Sequence, residues 1–338
     1  MKERNASVDI FRIICAIMVV SIHTGPLAEL GHNWWYVTVQ ILPRIGVPFF
    51  FCTMGYYYIA SLLRGQCKFW QTMKRLLITY GLWSIIYYIP DVKMVLSGSV
   101  SLSGFLNNCL RHFLIYGSRE HFWFFPAVFF SIIVSTMFAK IGKIHWLAGI
   151  SIIAYVLGLL GCSYYGIGNS IPIISAFINW SRFDLVRRIV LMGFPFFMMG
   201  YFLQKVNRDK LKNKWLVMLE IIYLVGFFIE IIMVNVKSIQ VNVYVTIFLY
   251  LLLFNTMLFL LKNPMVQYRN VAIVTRDLSN FMYYSHPLFM LGINVIFMYV
   301  LERKASGTEL FFMTLVCSGM MGYILHKLDN KYLNRLYK

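Results

Sequence analysis

Two ionisable side chains bracket one apolar run near the start of the chain. The run, FRIICAIMVVSIHTGP, extends from Phe11 to Pro26, with Arg12 at its opening and His23 near its close. An ionisable group in hydrocarbon is costly, and it faces a bundle interior, a water-filled cavity or a partner. Eleven residues of α-helix turn through about 1100°, roughly 20° beyond three full turns, and rise about 16 Å. Arg12 and His23 therefore share one helix face and stand near opposite membrane surfaces. A guanidinium at one mouth suits a phosphate or carboxylate. An imidazole at the other suits a base for a hydroxyl, which is a poor nucleophile near neutral pH. Plainer roles also exist: Arg12 as a snorkelling anchor beside Asp9, and His23 as an interfacial hydrogen-bonding group. The shared face favours the functional pair.

Other candidates sort by depth against these two. Lys74, Arg75 and His286 are expected at the depth of Arg12, with Pro287 in the first turn of a helix that carries His286 inward. Arg44, His121 and Trp123 are expected at the depth of His23. Arg75 also reads as an ordinary positive-inside charge, and His121 with Trp123 as part of an aromatic belt. Glu220 and Glu230 fall within another apolar run. Ten residues of helix put them about 80° apart, so they do not read as a pair, and Glu220 is expected to pair with Lys214.

The elements that must position these residues are membrane helices. Of the 338 residues 59% are hydrophobic, 17% aromatic and only 13% charged. Mean hydropathy is +0.68. A soluble domain cannot hide that much apolar surface, so the fold class is an all-α polytopic membrane protein. A spanning helix needs about 20 mostly apolar residues. Ten stretches qualify, approximately 8–25, 41–63, 74–90, 122–139, 144–161, 187–204, 215–234, 240–261, 281–301 and 309–328. The first has no small-x-small cleavage site after it and is read as a retained helix. The net charge of +18 does not indicate nucleic acid, because the Lys and Arg residues sit in short loops between apolar runs. With both termini in the cytoplasm, basic residues are about twice as frequent inside as outside. The longest loop, 91–120, carries Phe105, Leu106, Leu110, Phe113 and Leu114 at helical spacing and reads as an interfacial helix. The six cysteines show no CxxC and no metal spacing; Cys109 and Cys162 are the pair that could meet outside the membrane. No metal site is expected, no internal repeat is evident, and residues 1–338 read as a single transmembrane domain with no soluble domain.

At this point the chain resembles the acyltransferase-3 family of membrane proteins, which carries Arg or Lys, ten residues, then His in its first span, as Arg12 and His23 do here. RIGVPFFFCTMGYYY, HFWFFPAVFF, GFPFFMMGYFL and NFMYYSHPLFM are similar to later stretches of that family, in the same order and over nearly the whole chain. The resemblance implies a multi-pass protein of a bacterial-type cell membrane. It implies transfer of an acyl group, commonly acetyl, from cytoplasmic acyl-CoA as co-substrate to a hydroxyl of an extracytoplasmic glycan or other acceptor, with no bound cofactor. Arg12, Lys74, Arg75 and His286 would then face the acyl donor, His23 with Arg12 would be catalytic, and Arg44, His121 and Trp123 would lie on the acceptor side. One segment departs: QTMKRLLITY keeps Arg75, Leu76 and Tyr80 but has Gln71 and Thr72 where the family often has arginines, and Ile78 where it has proline. IHWLAGISIIAYVLGLLGCSYYG also resembles the membrane half of the serine racemases of vancomycin-type resistance. That likeness implies the alternative, a transport domain for L-serine or a similar small solute. The expected partners are membrane lipid, the two substrates, and either a second copy of the chain or a racemase domain outside these residues.

The orientation is checked by cysteine labelling. An impermeant thiol reagent applied from outside should reach a cysteine placed at Asn33 or Ser118 and miss one at Asn213; labelling at Asn213 would reverse the topology.

Overall fold

In hydrocarbon every backbone N–H and C=O must find its partner within the chain, so the apolar stretches become helices. The computed structural model describes residues 5–236 and 245–338. Ten long helices carry the fold: α1 Ala6–Thr24, α2 Gly46–Leu63, α3 Phe69–Tyr88, α4 Phe124–Lys140, α5 Ile144–Leu160, α6 Phe194–Lys205, α7 Asn213–Val236, α8 Ile247–Lys262, α9 Arg269–Tyr299 and α10 Gly307–Leu328. Each of the ten apolar stretches falls on one of them. Among the described residues, seven helical runs are long and apolar enough to cross a membrane by length and composition: Ala6–Thr24, His32–Leu63, Glu120–Lys140, Phe183–Lys205, Asn213–Asn235, Val266–Tyr299 and Gly307–Leu328. α5 and α8 are shorter apolar helices. Residues 240–244 of the eighth stretch, and the basic residues Lys2, Arg4 and Lys237, lie outside the described residues.

Boundaries are set by local chemistry. Asn5 caps α1 by accepting from the Val8 N–H at 3.2 Å, and Gly25 ends it in the left-handed region at φ 67°, directly after the turn that carries His23. α10 opens with a full capping box between Ser306 and Glu309. A helix is present at Leu102–Arg111 within the loop read as interfacial, with Leu102, Leu106 and Leu110 exposed along one stripe.

Two expectations need correction. The helix carrying His286 does not start near residue 281; α9 starts at Arg269 and runs through Pro287. Its first twelve residues, RNVAIVTRDLSN, look like a loop because they are polar. They are helical because α1 and α10 pack against them and their polar groups are matched: Asp277, fully buried, accepts from its neighbour Arg276 at 2.6 and 2.9 Å and lies 3.0 Å from His326 Nδ1 of α10, while Asn280 accepts from Arg12 of α1. Glu220 and Glu230 both tie α7 to α8. Glu220 accepts from Asn255 and Thr256, each at 2.5 Å, rather than pairing with Lys214. Glu230 accepts from the N–H groups of Ile247 and Phe248 at 2.8 Å, capping α8, and from the Tyr164 hydroxyl at 2.7 Å. All six cysteines are free. Ser118 is buried and bonded to Ser84 and Tyr80, which leaves Asn33 as the working outer reporter for labelling.

The tightest crossing is that of α2 with α6. A Cβ on Gly55 would lie 1.8 Å from the Phe197 carbonyl oxygen, and one on Gly200 would lie 2.4 Å from the Gly55 backbone. Close backbone approach of this kind is what small residues provide where packing replaces the hydrophobic effect. Both glycines belong to stretches that carry the family resemblance, so those motifs read partly as a packing requirement.

Gly200→Val should force this crossing apart and lower stability by about 1–3 kcal/mol, the range for overpacking. Gly81→Ala, in α3 with open space around its Cβ, should leave stability unchanged or raise it. Thermal unfolding of the purified variants in detergent compares the two; equal midpoints would mean the crossing is not tight.

Candidate functional site

α1 carries one candidate at each end, and the two ends open onto different environments. At the Arg12 end lies a cavity of about 1680 Å³, walled by α1, α2, α3 and α9. Nine basic side chains line it among the described residues (Arg12, Arg64, Lys68, Arg75, Arg208, Lys262, Arg269, Arg276 and Lys338) against two acidic ones, Asp9 and Asp209. An excess of this kind focuses a positive potential on any anion that enters. Arg75 is part of this lining; Lys74 is exposed and is not. Gln71 and Thr72 also line it. The positions where arginines are replaced thus belong to the cavity, and other helices supply its charge.

Arg12 is held as well as paired. Its NH2 donates to Asn280 Oδ1 at 2.6 Å, its NH1 lies 3.6 Å from Asp9 Oδ1, and its guanidinium sits 5.7 Å from the Phe50 ring centre. Its Nε is buried with no hydrogen-bond partner. Asn280 in turn donates to the Tyr337 carbonyl at 2.7 Å. The last residues are thereby part of the cavity wall: Trp83 donates to the Leu336 carbonyl at 2.8 Å, Thr79 to that of Arg335 at 3.0 Å, and Tyr337 is 1% exposed. Lys338 bonds Asp329 at 2.6 Å, and this bond, with one from Asn334, holds the Asp329 carboxyl below the usual aspartate range.

At the other end His23 does not stand alone. Its ring centre lies 5.0 Å from that of His286, which lies 5.1 Å from that of His121. His121 and His286 are buried and His23 is partly exposed. His286 is therefore at the depth of His23, not of Arg12. The early start of α9 explains the difference: seventeen residues from Arg269 to His286 rise about 26 Å, where a start at 281 would have left His286 about 8 Å in. His121 is brought in by the turn Glu120–Trp123 ahead of α4. Trp123 packs with its ring centre 5.5 Å from that of Phe51. Arg44 is tied to Gln40, one turn earlier in its own helical run.

Tyr283, which the sequence reading passed over, joins the two halves. Its ring lines the cavity together with Phe50 and Phe124, whose centres lie 5.5 and 5.8 Å from its own. Its hydroxyl donates to the His121 backbone carbonyl at 2.7 Å, and its own carbonyl lies 2.9 Å from His286 Nδ1. Tyr283, with Phe50 and Phe124 packed on it, thus lies between the cationic cavity and the histidine nest, where the ring centres of the two buried histidines are 6.2 and 6.4 Å from its own. In the nest, the Nε2 atoms of His121 and His286 are buried with no hydrogen-bond partner. Leaving such an atom unsatisfied costs about 1–3 kcal/mol, so the pair is a specific cost that a bound polar group would relieve. Among the described residues, no group of three His, Cys, Asp or Glu side chains is placed to hold a metal ion. Asn280 and Tyr283 were missed because one lies in the polar start of α9 and the other in an aromatic run; the position of Tyr283 three residues before His286 was the available signal.

Comparison with known proteins gives a consistent picture. The family model described as "Acyltransferase domain", that of the acyltransferase-3 family, matches residues 5–329. An "Amino-acid racemase" of Enterococcus faecalis is 30% identical over 346 residues, which cover 98% of this chain and 47% of that protein. A "Serine/alanine racemase" of Enterococcus gallinarum is 26% identical over 300 residues, covering 86% of this chain and 41% of that protein. The chain spans less than half the length of these curated relatives. No solved structure matches.

Asn280→Ala should remove a partner from Arg12 and from the Tyr337 carbonyl together and cost about 1–3 kcal/mol, measured as a lowered unfolding midpoint in detergent. A midpoint equal to wild type would show that the terminal segment is not held through this residue.

Proposed function

The chain belongs to the acyltransferase-3 family, and from that premise we propose that it moves an acyl group, acetyl being the simplest, from acyl-CoA to a hydroxyl of a glycan or other acceptor at the opposite membrane surface. The observation that carries the reading is the division along α1: Arg12 in a strongly cationic cavity, His23 in a histidine nest, and one layer of aromatic rings between them. The phosphates of the donor are matched by the cavity's arginines and lysines, which bind as forks and point charges. The substitution of Gln71 and Thr72 for arginines is offset by Arg208, Arg269 and Arg276 in the same lining. The extended pantetheine arm would pass its thioester between Phe50, Phe124 and Tyr283 toward the nest.

The chemistry there balances with a single base. The acceptor hydroxyl oxygen forms a bond to the thioester carbonyl carbon while its proton passes to a His23 ring nitrogen. The carbon–sulfur bond then breaks, and the departing thiolate takes that proton from His23. No net proton is gained or lost by the protein. A base of this kind contributes about 10²–10⁴ in rate.

A second reading has its own support. The relatives are named as racemases of amino acids, and this chain covers only the part of them that resembles a membrane domain. A carrier for serine or a similar small amino acid would use the same path with no covalent step.

One assay separates the two. Purified protein in lipid vesicles is given labelled acetyl-CoA with a panel of glycan acceptors and, separately, labelled L-serine. The acyltransferase reading expects CoA release with transfer of label. His23→Ala should lower turnover about 10²–10⁴-fold with acetyl-CoA binding unchanged, Arg12→Lys should retain part of that binding, and Arg12→Ala should lose most of it. Serine uptake without any acetyl-CoA-dependent chemistry would replace this reading by the carrier.

A further inference from the structure

His286 lies one residue before the proline that interrupts α9. A proline within a helix has no N–H to donate to the carbonyl four residues earlier. For Pro287 that carbonyl is Tyr283's. In hydrocarbon a freed carbonyl must find another donor. It has one: His286 Nδ1 lies 2.9 Å from the Tyr283 oxygen, closer than the 3.1 Å to the Met282 oxygen. Both neighbours are carbonyl oxygens, which only accept, so Nδ1 carries the proton. A neutral imidazole has one N–H and one lone pair. With the N–H committed to the helix backbone, the lone pair is on Nε2, at the far edge of the ring. That atom is buried without a partner, in the nest where the ring centres of His23 and His121 lie 5.0 and 5.1 Å from that of His286 and only His23 is partly exposed.

We propose that Pro287 sets the tautomer of His286, and that His286 Nε2 is the acceptor that orients His23 for proton transfer. The inference rests on the acyltransferase reading above. His286 is a positioning residue in this scheme. When the acceptor substrate closes the nest, the His23 N–H turns to His286 Nε2, which leaves the other His23 nitrogen to receive the hydroxyl proton. The positive charge that His23 gains during the step is then shared through that hydrogen bond, as it is wherever a base is steadied by an acceptor behind it. The arrangement also explains why Tyr283 is adjacent: its carbonyl receives His286 and its hydroxyl fixes the turn that bears His121, so one residue registers both buried histidines against His23.

The test combines a spectroscopic and a kinetic readout. Solid-state nitrogen NMR of histidine-labelled protein in lipid should show His286, identified by loss of its signals on substitution, with the proton on Nδ1. Pro287→Ala restores a backbone donor to the Tyr283 carbonyl and should raise the fraction with the proton on Nε2. His286→Asn keeps a donor for the backbone carbonyls and removes the Nε2 acceptor; it should shift the His23 signals and lower turnover at least about tenfold with acetyl-CoA binding unchanged. His286→Gln places a carbonyl oxygen near the Nε2 position and should keep more activity than His286→Asn. A purely structural histidine predicts the opposite order, because Asn is then the better replacement. Wild-type His286 with its proton on Nε2, no change of tautomer in Pro287→Ala, or an Asn variant more active than the Gln variant would each overturn the proposal. Absence of acyl transfer in the wild type would overturn the function instead, and the tautomer measurement and the His23 response would still decide the lock.

Discussion

A charge or polar group inside a membrane protein must be matched by another part of the same chain, because lipid supplies nothing. This constraint orders the molecule. Arg12 is met by Asp9 and Asn280, Asn280 by the Tyr337 carbonyl, Asp277 by Arg276 and His326, and Glu220 and Glu230 by donors on α8 and the Tyr164 hydroxyl. Apart from the local pairs Arg12–Asp9 and Arg276–Asp277, each match joins elements far apart in sequence and is also a structural tie. Among the described residues seven buried side-chain atoms lack a partner, and three of them flank the two ends of α1: the Nε of Arg12 at one end and the Nε2 atoms of His121 and His286 at the other.

Much of this architecture was legible. Apolar runs of spanning length located the helices because hydrocarbon allows few other structures. The helical period placed Arg12 and His23 on one face, and the structure puts the first on a cavity and the second in a nest of histidines. The start of α9 was illegible for a physical reason. Its residues are polar, and their polarity is neutralised by α1 and α10, which no local pattern reveals. The depth of His286 followed from that error and was corrected with it. The pairing of Glu220 and Glu230 with α8 was hidden for the same reason: the partners are more than fifteen residues away. The likeness of GFPFFMMGYFL and RIGVPFFFCTMGYYY to family stretches was visible, but that both encode one crossing at Gly55 and Gly200 needed the structure.

The cavity shows how charge can be conserved as a field while its sources move. Gln71 and Thr72 occupy lining positions where related chains often have arginine, yet the cavity remains rich in cations drawn from α1, α3, α9 and the segments around α8. Long-range attraction of an anion depends on the summed potential more than on which helix supplies each charge. Orientation of an anion depends instead on individual forks, so two cavities of equal charge can differ in what they hold in register.

The partition formed by Phe50, Phe124 and Tyr283 has an electrical consequence. A wide cavity on one side and a polar nest on the other leave only a thin apolar waist between them. Where low-dielectric material is thinnest an applied potential is steepest, so a membrane potential would concentrate on these rings. A continuous file of water across that waist would let protons run down their gradient through every copy of the protein. Any passage through the waist must then admit one slender group and no solvent column, and the two phenylalanine rings packed on Tyr283 form a seal that closes around such a group.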